Sequence, residues 1–241
     1  MHHLGAKTVV LWCVAAFAAG GCGELIGPPR DQRVPVVQAL LVAGQDTQSL
    51  WVEWSTPADS TYRPSPRPLD SISVNLRLVA PDGAATPFLP SAATPGRFVA
   101  RVQVRGGLTY RLAGTAGDST VRAETTVPAP LRILLPAADT VRLRSGDSVP
   151  IVWGHNGAAS FAVRRSDVPR AGYGADTSGV MRSCSGTTCV WTVLALDPAA
   201  AAFLAFDVSL LGARPRRGNV QGGLGFFGSS TADWRVVVWQ P

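Results

Sequence analysis

From Val34 onward the chain is built of short runs in which apolar and polar residues alternate. In SLWVEWS, Leu50, Val52 and Trp54 alternate with Trp51 and Glu53. In DSISVNLRLVAPDG, Ile72, Val74, Leu76 and Leu78 alternate with Ser73, Asn75 and Arg77. In GRFVARVQVRGG, Phe98, Ala100, Val102 and Val104 alternate with Arg97, Val99, Arg101, Gln103 and Arg105. TYRLAGTAGDSTVRAETTVP predicts two strands about a Gly117-Asp118 turn, and TVRLRSGDSVPIVWGHNG repeats the strand-turn-strand grammar. SFAVRRSDV, TTCVWTVLALD and the closing DWRVVVWQP add further strands. A period of two buries one face and wets the other. Turn residues recur about every ten positions, the signature of an all-β, antiparallel β-sandwich. One helix signal stands out in LDPAAAAFLAFDV. Asp197 can cap and Pro198 suits the first helical position, which predicts at most one short helix near residues 198–205.

The breaks in this pattern set the organisation. The proline-rich stretch 55–70 cannot be a central strand and reads as a long loop. Pro128, Pro130 and Pro136 bound LRILL, the entry to a second unit. The expectation is an N-terminal β-sandwich over 34–128 and a C-terminal β-rich domain over 129–241. Before them lies an unbroken apolar run from Val9 to Ala19, ended by Gly20, Gly21 and Cys22. Its length is that of a signal-peptide core, ~7–15 residues, and short of the ~20 that span a bilayer. The small residues before Cys22 resemble the lipobox of bacterial lipoproteins, with Ala19 where leucine is usual. Residues 1–21 then form the leader, Cys22 carries the lipid, and 22–33 are a tether. An ordinary signal peptide that happens to contain cysteine is the alternative. Gly23 is not the aspartate that commonly retains lipoproteins at the inner membrane, which favours the outer one.

Charge and cysteines narrow the chemistry. The formal charge is +6, and Lys7 is the only lysine. Without the leader, 21 arginines face 16 acids, leaving +5. The arginines are scattered among acids, which argues against nucleic acid; the one tight cluster is Arg214, Arg216 and Arg217, where a lipid-headgroup contact is the alternative to plain solvation. Cys184 and Cys189 bracket Ser-Gly-Thr-Thr. In an exported protein such a pair is expected to form a disulfide that pins a hairpin turn. Zinc would need four N/S ligands, and His155 is the only histidine beyond the leader, so no metal and no cofactor are expected.

Motifs with catalytic precedent read more simply as turns. Asp176-Thr-Ser-Gly179 has no second carboxylate motif to share a proton with. Gly146-Asp-Ser-Val149 resembles an esterase nucleophile block, but its only histidine, His155, follows seven residues later. Gly222–Ser230, GGLGFFGSS, lacks a phosphate-loop lysine. The tryptophans beyond the leader, Trp51, Trp54, Trp153, Trp191, Trp234 and Trp239, all fall in predicted strands, mostly at core phase. An aromatic ligand platform is the alternative.

The segments PGRFVARVQVRGGLTYRLAGTAGDSTVRAETTVPAP and GNVQGGLGFFGSS, behind a lipobox, resemble the bacterial lipoproteins grouped as domain of unknown function 4249. The resemblance spans most of residues 34–232 and implies an outer-membrane-associated envelope lipoprotein with an immunoglobulin-like part, accessory to uptake systems. It carries over no catalytic residues. The resulting expectation is a non-enzymatic binding or assembly module, held to the membrane through Cys22 and accessory to an outer-membrane transporter. A glycan- or ester-directed hydrolase and a structural spacer without ligand are the alternatives.

Overall fold

The computed structural model describes residues 33–55, 72–144, 146–166, 168–174, 178–182, 187–204 and 218–240, without the side chains of 168–174, 178–180, 182 and 239. The expected leader, Cys22, nearly all of the 55–70 loop, Cys184 and the Arg214, Arg216 and Arg217 cluster lie outside the described residues.

The first half contributes β1 (Pro35–Val42), β2 (Gln48–Trp54), β3 (Val74–Val79), β4 (Ala85–Pro87), β5 (Leu89–Pro90), β6 (Arg97–Ala100), β7 (Thr109–Ala116) and β8 (Ser119–Thr126). The second contributes β9 (Ile133–Leu135), β10 (Thr140–Arg144), β11 (Ser148–Trp153), β12 (Ser160–Arg165), β13 (Val168–Gly174), β14 (Ser178–Arg182), β15 (Thr188–Leu196), helix α1 (Pro198–Leu204) and β16 (Leu224–Gln240). The chain is thus all-β, with one short helix among the described residues.

A nine-stranded sheet runs β13-β12-β15-β16-β1-β2-β6-β5, with β10 also on β16. The sheet β4-β3-β7-β8 packs on its first part and β14-β11-β9 on its second. Alternation set the strand faces. Leu50 and Val52 on β2, Leu76 and Leu78 on β3, and Phe98 and Ala100 on β6 point into one core, while Trp51, Glu53, Asn75 and Arg77 stay wet or half-wet. A second core gathers Ile151, Trp153, Phe161, Met181, Val193 and Val237.

β16 belongs to both cores. Its first half lies parallel to β1, from Val36 opposite Leu224 to Val42 opposite Ser230. There Phe227, with Val220 just upstream, fills the first core. Its second half lies antiparallel to β15 and parallel to β10, and there Val237 enters the second core.

Four expectations change. The sheets are not wholly antiparallel, because β1 and β10 both run parallel to β16. The closing strand begins at Leu224 instead of Asp233, so GGLGFFGSS is mostly strand. β10 and β11 do not form a hairpin, since β10 pairs with β16 and β11 with β14 and β9; the Gly146 turn between them is a corner from sheet to sheet. β14 and β15, the strands before and after Cys184, likewise lie in different sheets and do not pair as a hairpin.

Candidate functional site: a polar junction and an open sheet face

The polar side chains most deeply buried between the two sandwiches meet at Asp197. Its Oδ1 accepts the Ala200 N–H at 2.8 Å, which caps α1, and the Ser229 N–H at 3.0 Å. Its Oδ2 accepts the Thr125 hydroxyl at 2.6 Å. Thr125 has a single proton, so in its 2.7 Å contact with Ser229 the serine hydroxyl is the donor. Next to this junction the Thr231 hydroxyl donates to the Ala129 carbonyl at 3.0 Å. One carboxylate therefore joins β8, α1 and β16. Both of its oxygens are engaged by structural donors, so the group acts as a clasp.

A second cluster surrounds Arg235, which is buried on β16. It donates to the carbonyls of Pro136, Trp234 and Ile133 at 3.0, 2.7 and 2.9 Å. Asp233 and Asp139 reach its Nη1 at 3.3 and 3.9 Å. Asp233 also accepts the Ile133 N–H at 2.7 Å. Asp233 is thus tied both to the guanidinium and to the Ile133 backbone, and Asp139 lies at the solvent side of the cluster.

The esterase-like residues are separated by the fold. Ser148 opens β11 and His155 follows its end, roughly 20 Å away at ~3.3 Å per residue. His155 is exposed, and its Nδ1 accepts the Gly157 N–H at 3.3 Å, as a turn residue does. Ser178 and Gly179 lie in β14, whereas Asp176 and Thr177 are outside the described residues. Cys189, at the start of β15, is buried and is not free. Cys184 lies outside the described residues. Gly222 and Gly225 have positive φ values of 77° and 106°, and a Cβ would strike the carbonyls of Thr120 and Val37. These glycines permit close backbone approach within a sandwich and form no phosphate cradle.

The tryptophans divide. Trp153 is core, and Trp54 and Trp191 are half-buried, with the Arg165 guanidinium 5.9 Å from the Trp191 ring. Trp51 and Trp234 face outward, 46% and 52% exposed, contrary to a core role. Both lie on the outer face of the nine-stranded sheet. α1 covers the middle of that face, where Ala200, Leu196 and Ala162 pack together, and Phe203 stacks on Phe226 at 3.8 Å. Beyond the helix on the β2-β6-β5 side, Trp51 sits opposite Arg97, and Ser49 opposite Val99, which faces Leu89. Directly opposed residues share a face, so Trp51, Val99 and Leu89 form an outward apolar patch. The alternation of β6 continues past Ala100, so that Arg101, Gln103 and Arg105 extend the row of Arg97 and are exposed. The Tyr110 hydroxyl accepts the Arg105 N–H at 3.0 Å and fixes that segment. The arginines were legible in the sequence as the wet phase of a strand. Their place beside Leu89 was not, because β5 is a two-residue strand.

No family model matches the chain, and no curated protein matches it. Among solved structures it is similar to a two-domain fibronectin type-III segment of chicken tenascin, at 12% identity and a TM-score of 0.23, covering 69% of this chain and 92% of that one. It is also similar to a three-domain immunoglobulin segment of titin, at 13% identity and a TM-score of 0.20, covering 86% of this chain and 66% of that one. At such scores neither likeness carries an argument about what this chain does.

Proposed function

We propose that the chain is a lipid-anchored bacterial envelope protein, of the kind its resemblance to the domain of unknown function 4249 lipoproteins implies. It acts as a non-enzymatic binding or assembly module beside an outer-membrane uptake system. The sequence around Cys22 supports the anchor. The observation that carries the binding reading is Trp234. It stands 52% exposed on the outer face of the longest strand, with Thr192 opposite it on β15 and Arg164 beyond on β12. Tryptophan and arginine dominate the energetics of protein interfaces, and here a stiff sheet presents both. Asp197 and Ser229, polar groups a hydrolase would need free, are instead engaged in joining the two sandwiches, and Arg235 is engaged within the second.

Two measurements test this. Cys22→Ser should abolish incorporation of radiolabelled palmitate and leave uncleaved precursor; unchanged labelling would end the lipoprotein reading. A photo-crosslinker at position 234 should trap one discrete envelope protein in living cells, and Arg164→Glu should remove that adduct. A diffuse smear, insensitive to Arg164→Glu, would reduce the second sandwich to a spacer.

A further inference from the structure

We infer that the open face of β2, β6 and β5 lies against an anionic lipid surface, with Trp51 and Leu89 entering the headgroup layer and Arg97, Arg101 and Arg105 over the phosphates. The inference rests on the lipid-anchor reading above and adds the side of the molecule that the anchor brings down.

Three observations converge on this face. The first is the exposure of its apolar residues, 46% for Trp51 and 62% for Leu89, with Val99 between them. An indole has an apolar body and a polar N–H, the combination favoured at a membrane interface. The second is charge. Arg97, Arg101 and Arg105 share the face, and Glu53, at the row's end nearest the chain entry, is the acid among the alternating positions of β2. Arginine stems can lie along apolar surface while the guanidinium stays at the phosphate level. The third is reach. Ten residues, 23–32, separate Cys22 from Arg33, enough to span at most ~35 Å. The fold begins at Pro35, opposite Trp54. Trp51 is three residues further along β2, ~10 Å from that entry point. A lipid on Cys22 can therefore reach the plane of this face. Tethering makes the contact intramolecular, so a patch too weak to bind from solution is held at high effective concentration. α1 stands at the inner border of the face, so the molecule comes down on its β5 edge.

The test uses the lipidated protein reconstituted in vesicles of phosphatidylethanolamine and phosphatidylglycerol, with and without brominated acyl chains. The difference in fluorescence between wild type and Trp51→Phe isolates the Trp51 signal from the other tryptophans. Bromolipid should quench that signal, and Arg101→Glu with Arg105→Glu should lower the docked fraction at least about fivefold. Leu89→Asp should act in the same direction. Flotation of the same sample separates the two levels of the argument. Wild type that fails to float removes the anchor and this inference with it. Wild type that floats while Trp51 is quenched by acrylamide and not by bromolipid overturns the docked face alone. Trp51 shielded from both quenchers only when envelope extract is added would assign the face to a protein or glycan, and would also overturn it.

Discussion

Asp197 is where three elements meet in one side chain, and its consequences can be worked out bond by bond. Asp197→Ala removes the cap of α1, typically worth ~1 kcal/mol. It also leaves the Ser229 N–H and the Thr125 hydroxyl buried with a partner gone, at ~1–3 kcal/mol for such groups. The expected loss is about 3 kcal/mol, read as a fall in the urea midpoint at unchanged slope. Asp197→Asn, which keeps an acceptor oxygen, should lose less than half as much. The capping role was legible, because Asp197-Pro198 before four alanines is a local signal. The clasp was not. Thr125 is 72 residues away and Ser229 is 32, and nothing local in either residue's surroundings specifies its partner. Gln48 illustrates the same limit. It stands at an inward phase of β2, 1% exposed, where alternation calls for an apolar residue, and its amide holds the backbone of Val42 and Gln45 across the turn.

At the level of elements, the strands with one wet face were the readable ones. β2, β3, β7 and β8 each keep alternate residues in solvent, so their pattern survives in the sequence. The first half of β16 could not be read in this way. It is covered by the first core on one side and by α1 on the other, and glycines replace the side chains that would have carried a period. Gly228 lies under the helix, where a Cβ would meet the Ala200 nitrogen at 2.7 Å and its Cβ at 2.9 Å. Gly228→Ala should push α1 off the sheet at a cost of ~1–3 kcal/mol. Faster amide exchange across 198–204, with the second core still protected, is the expected result. The disulfide is likewise an element-scale matter. A Cys184–Cys189 bond would brace the passage from β14 to β15. It closes so short a loop that reduction should loosen 183–187 without unfolding the domain. Mass spectrometry of alkylated, unreduced protein is expected to find no free thiol at either position.

Across the whole molecule, the two cores divide near residues 127 and 131, but the chain does not. It leaves the first sandwich at β8, builds most of the second, and then returns through 218–230 to complete the first before closing the second. Composition and proline spacing suggested a boundary near Pro128 and held no hint of the return, because a strand that serves two cores looks like any other apolar run. A fragment ending at residue 128 lacks Val220, Phe227 and the parallel partner of β1, so it should not fold cooperatively. The same fragment with 218–230 supplied in trans should regain protection in β1. Wild type should unfold in one calorimetric transition whose van't Hoff and calorimetric enthalpies agree; two resolved transitions would show the shared strand to be a weak coupling.

That shared strand also fixes when folding can begin. A chain that emerges amino-terminus first exposes β1 and β2 early, yet the second neighbour of β1 is not made until residues 224–230 appear. Until then one edge of the first sandwich is open and Phe227 is missing from its core. A chain threaded through a narrow channel benefits from this delay, since a tightly folded leading part would stall the rest. In the exported protein proposed above, neither sandwich would be complete until the carboxyl-terminal strand had passed, because that strand pairs with β1 in one and with β15 and β10 in the other.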